Sequence, residues 1–204
     1  SVAICEGLRY IVPNLQEAHP TAILTVPLLV ESLYKKINEK IVKSKKDKMV
    51  NTMISVTNAL KGAGIDIKKK VFKEIYDNLG GRLRIIVSAA APIDKKVGNW
   101  LEDIGITFLQ GYGLTETAPV LSIRDYKAPR PGCVGVLLPS VEIKIVKEEN
   151  GVIADSTPLP YGQKGLVLAR GEQIMKGYYK RQDLTDAIID KDGWLNTGDL
   201  GLLT

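Results

Sequence analysis

Residue types that commonly build metal and redox centres are scarce in this 204-residue sequence. The two cysteines, Cys5 and Cys133, are far apart and fit no metal-binding or redox spacing, so we expect two reduced thiols with structural roles. His19 is the only histidine. Because no serine, cysteine or metal-ligand partner accompanies it, we interpret it as a surface residue.

Long apolar runs are also missing. No run approaches the roughly 20 residues that a membrane-spanning helix needs. Residues 1–6 lack the basic start and long apolar segment of a signal peptide. The 45% hydrophobic and 25% charged residues are typical of a globular protein with one large domain or two small ones. We expect a cytoplasmic protein without a transmembrane segment, and contact with a membrane surface stays open.

The net charge of +5 comes largely from one lysine-rich stretch between residues 35 and 48. Such a stretch can bind a nucleic acid, a membrane surface or a polyphosphate. Val30, Leu33, Ile37 and Ile41 form an apolar stripe at helical spacing, however, which favours a solvated face of an amphipathic helix. Aromatic residues that could stack on bases do not interleave with the lysines, so we expect no nucleic-acid partner.

The first 123 residues alternate between strand and helix patterns. They predict strands over residues 2–5, 22–26 and 84–87, and helices over residues 8–18, 51–79 (with a break at 62–64) and 94–104. Pro27 suits the first turn of the lysine-rich helix. Strand, helix and strand with short connections predict a parallel crossover. We therefore predict a parallel-sheet α/β subdomain over residues 1–123.

Residues 124–204 differ from the first part in composition, because prolines and glycines occur at regular intervals. Pro129, Pro131 and Gly132 are the first of these turn residues. Residues 141–145 alternate between apolar and polar, residues 166–169 form a second strand pattern, and a short helix is predicted over 182–189. The pattern predicts a small β-rich, barrel-like subdomain.

One stretch carries most of the chemistry. A buried strand pattern around Phe108 leads into a loop with two glycines, and the crevice beyond the carboxyl ends of strands is where α/β sheets bind ligands. Tyr112 offers a flat ring face there, Thr115 can donate to a phosphate oxygen, and Glu116 can bind a hard cation. This combination predicts a site for a nucleotide with magnesium.

Two strings about 80 residues apart, QGYGLTE (110–116) and GWLNTGDLG (193–201), together resemble the adenylate-forming synthetase superfamily. Within it, the chain is most similar to AMP-forming long- or medium-chain fatty-acyl-CoA synthetases. Two weaker matches lie at residues 86–92 and 165–179. The family usually has a glycine at the position of Ala89 and a glutamate at the position of Leu166, and the extra methyl of Ala89 would narrow the acyl pocket.

The resemblance implies a reaction that joins a carboxylic acid to ATP as an acyl-adenylate and then transfers the acyl group to coenzyme A. It implies Mg²⁺ as a cofactor and a carboxylic acid, ATP and coenzyme A as small-molecule substrates. The implied roles are Thr115 at the α-phosphate, Glu116 on magnesium, Tyr112 on adenine, Asp199 on the ribose hydroxyls, Ala90, Ala91, Gln110 and Gly111 along the base and phosphates, and Gly113 and Val120 at the acyl pocket. Outside this context, Tyr112 and Trp194 would be core aromatics and Asp199 a turn cap.

Other parts that the family carries are not found. No Ser/Thr/Gly-rich phosphate loop ending in lysine precedes Phe108, and no hinge or C-terminal domain with an adenylation lysine follows Asp199. We therefore expect a central piece of a synthetase whose remainder is missing, with little ligase activity and at most weak affinity for AMP. Two alternatives stay open: an adenylation domain that loads an aryl or amino acid onto a carrier protein or CoA, and a non-catalytic nucleotide-binding module.

Overall fold

The computed structural model describes residues 2–7, 9–125 and 133–204, which form two compact units. The first unit extends to Gln110, and the second begins at Gly111 and continues to Thr204. The domain boundary that we placed after residue 123 stays a prediction. Leu8, where we expected the first helix to begin, lies outside the described residues, as do the predicted turn residues Pro129, Pro131 and Gly132.

The described part of the first unit alternates between helices and strands. In chain order its elements are α1 (Ile11–Ala18), β1 (Ala22–Thr25), α2 (Pro27–Lys43), α3 (Asp47–Gly62), α4 (Lys68–Val71), α5 (Lys73–Asn78), β2 (Ile85–Ser88), α6 (Lys95–Asp103) and β3 (Thr107–Tyr112). The strands predicted over residues 22–26 and 84–87 and the long helices are confirmed to within a few residues, with Pro27 at the first turn of α2. The segment predicted as helix over 51–79 is divided into α3, α4 and α5.

Strands β1, β2 and β3 form a parallel sheet in which β2 is central. Ile85 lies opposite Ala22 on one side and Thr107 on the other. Helix α6 makes the crossover from β2 to β3, and the Asp94 side chain begins it by accepting a 2.8 Å hydrogen bond from the Lys96 amide. The predicted parallel crossover is thus confirmed.

The core of this unit lies between the sheet and the helices. Leu83, Ile86, Ile104 and Ile106 are almost completely buried. Val30 and Leu33 of α2 are buried too, whereas the lysines between residues 35 and 48 are exposed. The interpretation of this stretch as a solvated face of an amphipathic helix is therefore confirmed.

The expectation for the N-terminal segment was wrong in one respect. Residues 2–5 form no strand, and Val2 and Ile4 are about nine-tenths exposed, because no strand pairs with their backbone. Helix α1 accommodates Pro13 because this residue lies in the first turn, where amides have no acceptor within the helix. His19 is exposed, as expected, and its Nδ1 lies 2.8 Å from the Gly80 carbonyl oxygen.

The second unit is mostly antiparallel β-structure. Its further elements are β4 (Ser122–Ile123), β5 (Val136–Leu137), β6 (Val141–Glu149), β7 (Val152–Pro158), β8 (Gly165–Gly171), α7 (Gln182–Ile188) and β9 (Leu195–Gly201). Four of the strands form one sheet in the order β7-β6-β8-β9. The fold class predicted from the sequence, parallel α/β followed by a β-rich part, is confirmed. Among the described residues, no helix is both long and apolar enough to cross a bilayer.

Candidate functional site

The glycine-rich loop that follows β3 is closed by strand pairing at its base. Gly111 and Tyr112 pair antiparallel with Ile123 and Ser122 of β4. The Leu121 amide also donates a 2.8 Å hydrogen bond to the Tyr112 carbonyl. Since both ends of the loop are fixed, the residues between them form one closed loop.

Inside the loop, Thr117 holds the backbone in place. It is completely buried, and its hydroxyl accepts a 2.8 Å hydrogen bond from the Leu114 amide and lies 3.0 Å from the Leu114 carbonyl, to which it donates. A short 3-10 turn over Thr115–Thr117 results, and it carries the predicted phosphate and magnesium residues on adjacent positions. Thr115 is exposed and Glu116 is half-buried.

Gly113 is required by packing within the same loop. A Cβ atom at this position would lie 2.2 Å from the Pro119 carbonyl oxygen, well inside van der Waals contact. Val120, the other residue that we assigned to an acyl pocket, is half-buried in the next segment of the loop. The structure gives Gly113 a packing role, and the acyl-pocket role of both residues stays a prediction.

Strand β9 presents the second motif on a bulge. Leu166 and Leu168 of β8 pair with Leu200 and Asn196, so β9 has extra residues between the two pairs. Gly198 lies in this stretch with a φ of 74°, a left-handed conformation that glycine adopts readily. The bulge interrupts the regular alternation of side chains in the stretch of β9 that contains Asp199.

Side-chain hydrogen bonds stabilise the bulge. Thr197 Oγ1 donates to the Val167 carbonyl at 2.9 Å and accepts from the Asp199 amide at 3.1 Å. Asn196 Oδ1 accepts from the Gly198 amide at 3.0 Å. The polar residues of the motif therefore build the backbone shape that presents the aspartate.

The two motifs meet in the second unit. The Tyr112 hydroxyl donates a 2.9 Å hydrogen bond to Asp199 Oδ2, across 87 residues of sequence. Burial raises the pKa of Tyr112 to about 12, and the hydrogen bond to Asp199 acts in the same direction. Tyrosine is a neutral donor at physiological pH in any case, and the raised pKa keeps Tyr112 neutral beyond pH 10 as well. Its contact leaves the second carboxylate oxygen of Asp199 exposed to a ligand.

Glu116 has a partner that the sequence did not reveal. The Tyr178 hydroxyl donates a 2.7 Å hydrogen bond to Glu116 Oε1, and this bond raises the pKa of Tyr178. The Met175 amide also donates to the Glu116 carbonyl at 2.8 Å. Tyr178 lies in residues 165–179, one of the two weaker matches to the family, so the sequence did mark this segment. Nothing in the sequence predicts which carboxylate Tyr178 contacts.

A pocket of about 240 Å³ opens beside these groups within the second unit. Its lining includes Glu116, Tyr178, Asn196 and Thr197. The described residues contain no cluster of three or more histidine, cysteine, aspartate or glutamate side chains that could form a protein-only metal cage. A single carboxylate fits Mg²⁺, because this ion is commonly held by one or two carboxylates, with water and substrate phosphates as the other ligands.

The other predicted nucleotide residues divide between the units. Gly111 is buried in β3, within the second unit. Gln110 pairs with Ser88 in the parallel sheet of the first unit. Ala90 and Ala91 form an exposed bend after β2, in which Ala90 has a left-handed φ of 77°. Their assignment to the base and phosphates stays a prediction.

The Trp194 ring contacts charged side chains of neighbouring strands. Two cations lie over its ring, with Lys144 Nζ at 4.4 Å and Arg170 Cζ at 4.6 Å from the ring centre. Arg170 also forms a two-pronged ion pair with Glu142, at 2.9 and 2.6 Å. These contacts join β6, β8 and the start of β9 through side chains, and they favour a structural role for the tryptophan.

The first unit contains a cavity of about 270 Å³ between α2, α3 and α5. Ile37, Met49, Met53 and Ile75 contribute to its largely apolar wall. None of the residues predicted to bind nucleotide or acid lines it. The cavity therefore gives no support to the nucleotide assignments.

Comparison with known proteins agrees with the two motifs. Residues 8–179 match the family described as AMP-binding enzyme. The chain belongs to this family. Long chain acyl-CoA synthetase 6, a peroxisomal protein of Arabidopsis thaliana, is 36% identical over 201 residues, which cover 93% of this chain and 28% of the relative. The resemblance to adenylate-forming synthetases is thereby confirmed.

Two further proteins extend the comparison. 4-Coumarate–CoA ligase 5 of Oryza sativa is 41% identical over 132 residues, or 59% of this chain and 23% of the relative. The structure of o-succinylbenzoate CoA synthetase from Bacillus subtilis superposes with a TM-score of 0.67 at 20% identity, covering 97% of this chain and 31% of that one. This likeness supports the fold. The chain spans about a third or less of the length of its relatives.

Proposed function

We propose that this chain forms part of the nucleotide-binding region of an ATP-dependent, AMP-forming acid–thiol ligase. The observation that carries the proposal is the hydrogen bond between Tyr112 and Asp199, which brings the two sequence motifs together. An exposed carboxylate can accept both hydroxyls of a ribose. The Tyr112 ring, held beside it, supplies a flat surface for adenine.

The chemistry of the proposed reaction explains the neighbouring residues. A carboxylate is a poor electrophile, so the enzyme first joins it to the α-phosphate of ATP, releasing pyrophosphate, and a thiol then displaces AMP. Bringing two anions together requires positioning and charge stabilisation. The exposed Thr115 hydroxyl would donate to the α-phosphate, and Glu116 would bind Mg²⁺, which neutralises phosphate charge when present.

A binding experiment tests the nucleotide site directly. Asp199→Ala should lower AMP affinity by about tenfold or more, since hydrogen bonds to a charged group contribute roughly 1.5–3 kcal/mol. Asp192→Ala is the matched control, because it removes the same charge from an exposed turn just before β9. Calorimetric titration of AMP into the three proteins measures the effect. Equal affinity of the Asp199→Ala and wild-type proteins would rule out the ribose assignment.

For the acid, we propose a fatty acid. The 36% identity to a long chain acyl-CoA synthetase over almost the whole chain supports this class. The 41% identity to a 4-coumarate ligase, over a shorter part, makes an aryl acid the second candidate. Pyrophosphate release by the complete gene product, measured with fatty, aryl and amino acids, separates these possibilities. Release with none of the acids would favour a non-catalytic nucleotide-binding module.

The proposal also predicts how active this chain is by itself. We expect the 204-residue chain alone to release pyrophosphate slowly or not at all, because the phosphate loop and adenylation lysine that the family carries are not in its sequence. Brisk turnover by this chain would contradict that expectation.

A further inference from the structure

The contact between Tyr178 and Glu116 leaves the two oxygens of this carboxylate in different states. Oε1 accepts the 2.7 Å hydrogen bond from the tyrosine hydroxyl, while Oε2 is free of that donor. Both side chains line the same pocket of about 240 Å³. A metal ion in this pocket would therefore meet a carboxylate whose first oxygen is already engaged.

The backbone that carries Tyr178 is fixed on both sides of the residue. The Tyr178 amide donates a 2.9 Å hydrogen bond to Thr185 Oγ1 in α7, and Thr185 is buried. Gly177 lies so close to Thr185 that a Cβ atom would be 2.8 Å from its methyl group. On the N-terminal side, the Met175 amide binds the Glu116 carbonyl. The backbone that carries the tyrosine is thus fixed relative to the glutamate, although the residue itself is 37% exposed.

We propose that Tyr178 is a positioning residue that holds Glu116 as a one-oxygen metal ligand and thereby favours Mg²⁺ over Ca²⁺. The inference rests on the proposed function, in which Glu116 binds the metal. Mg²⁺ demands near-ideal octahedral geometry and keeps several waters, so one oxygen at a fixed angle suits it. Ca²⁺ takes more oxygen ligands and readily uses both oxygens of one carboxylate. Engaging Oε1 disfavours the second arrangement.

Tyr178→Phe tests the proposal, because it removes the hydroxyl and keeps the ring. Tyr179→Phe is the matched control: Tyr179 is the next residue and is 87% exposed, and its ring lies near Lys180. The complete gene product is titrated with Mn²⁺ in the presence of ATP, bound Mn²⁺ is measured by electron paramagnetic resonance, and Mg²⁺ and Ca²⁺ are then used as competitors.

We expect Tyr178→Phe to reduce the preference for Mg²⁺ over Ca²⁺, because Oε1 then becomes available as a second oxygen for Ca²⁺. Removing a partner of a metal ligand typically changes metal affinity by about 10–100-fold, which sets the upper limit for the change in this ratio. Tyr179→Phe should keep the wild-type preference. A purely structural role for Tyr178 would weaken the binding of both ions alike, so an unchanged ratio overturns the proposal. Circular dichroism of both variants verifies that they are folded.

Glu116→Gln separates this inference from the proposed function. If it weakens Mn²⁺ binding while Tyr178→Phe leaves the Mg²⁺ to Ca²⁺ ratio unchanged, the metal site stands and the positioning role of Tyr178 fails. If Glu116→Gln leaves Mn²⁺ binding unchanged, Glu116 is not a metal ligand, and both its metal role in the proposed function and the positioning role of Tyr178 fail. Reduced Mn²⁺ binding in Glu116→Gln together with a reduced ratio in Tyr178→Phe supports both.

Discussion

The Tyr112 hydroxyl donates to Asp199 Oδ2 at 2.9 Å, so the end of β3 and the bulge of β9 are joined through their side chains. The two residues come from different sequence motifs, 87 positions apart. A tyrosine that stays neutral and an aspartate with one oxygen available form a preorganised pair. Such a pair can receive a nucleoside without first reorganising its own hydrogen bond.

A double-mutant cycle measures how strongly this pair is coupled. We expect Tyr112→Phe and Asp199→Asn each to lower the free energy of unfolding, and the double variant to lose less than their sum. Residues in direct contact typically show interaction energies of about 0.5–3 kcal/mol. Urea denaturation of the four proteins gives the cycle. Strict additivity would mean that the hydrogen bond contributes nothing in solution.

Thr117 should be essential for the shape of the loop. Thr117→Val keeps the volume but removes the hydroxyl that bonds both the amide and the carbonyl of Leu114. We expect a loss of about 1–3 kcal/mol, since the half-buried Leu114 amide is left unpaired. Thr117→Ser keeps the hydroxyl and should cost about 1 kcal/mol for the lost methyl. If the serine variant is the less stable of the two, packing rather than hydrogen bonding holds the loop.

Gly113 should tolerate no side chain. Gly113→Ala places a Cβ atom against the Pro119 carbonyl oxygen, and overpacking of this kind commonly costs roughly 1–3 kcal/mol. Gly62→Ala is the control, because a Cβ atom added there would meet nothing within 4 Å and alanine favours the end of α3. Thermal denaturation should show a lower Tm for the first variant only. A Gly113→Ala protein as stable as wild type would show that the loop adjusts freely.

Tyr76 should make the first unit sensitive to alkali. Burial, with a smaller contribution from Asp66, raises the pKa of Tyr76 to about 12, whereas an unfolded tyrosine ionises near pH 10. Below pH 10 Tyr76 is protonated in both the folded and the unfolded chain, so its contribution to the free energy of unfolding is fully present. Between pH 10 and pH 12 the unfolded chain loses a proton that the folded chain keeps, so the free energy of unfolding falls by about 3 kcal/mol.

Tyr76→Phe removes this contribution, so its stability should fall less between pH 10 and pH 12 than that of the wild type. Tyr161→Phe, at a residue that is 78% exposed, should retain the wild-type slope. Denaturation at a series of pH values measures both. If the free energy of unfolding falls equally steeply with pH in Tyr76→Phe and the wild type, ionisation of Tyr76 is not the cause of the fall.

Local patterns account for most of the correct sequence predictions. Apolar spacing in α2, the proline at its start and the glycines after α5 act over a few residues, so the order of residues is enough to reveal them. The segment at residues 2–5 shows the limit. A strand pattern there produced no strand, because a strand depends on a partner whose presence the pattern cannot show.

Local periodicity and two motifs of distinctive composition were enough to predict most element types, the parallel crossover and the family. The hydrogen bonds from Tyr112 to Asp199 and from Tyr178 to Glu116 could be found from the three-dimensional structure alone. These contacts depend on a bulge in β9 and on the docking of residues 175–178 beside the loop. Distances between side chains 62 and 87 positions apart are set by packing, which no local pattern encodes.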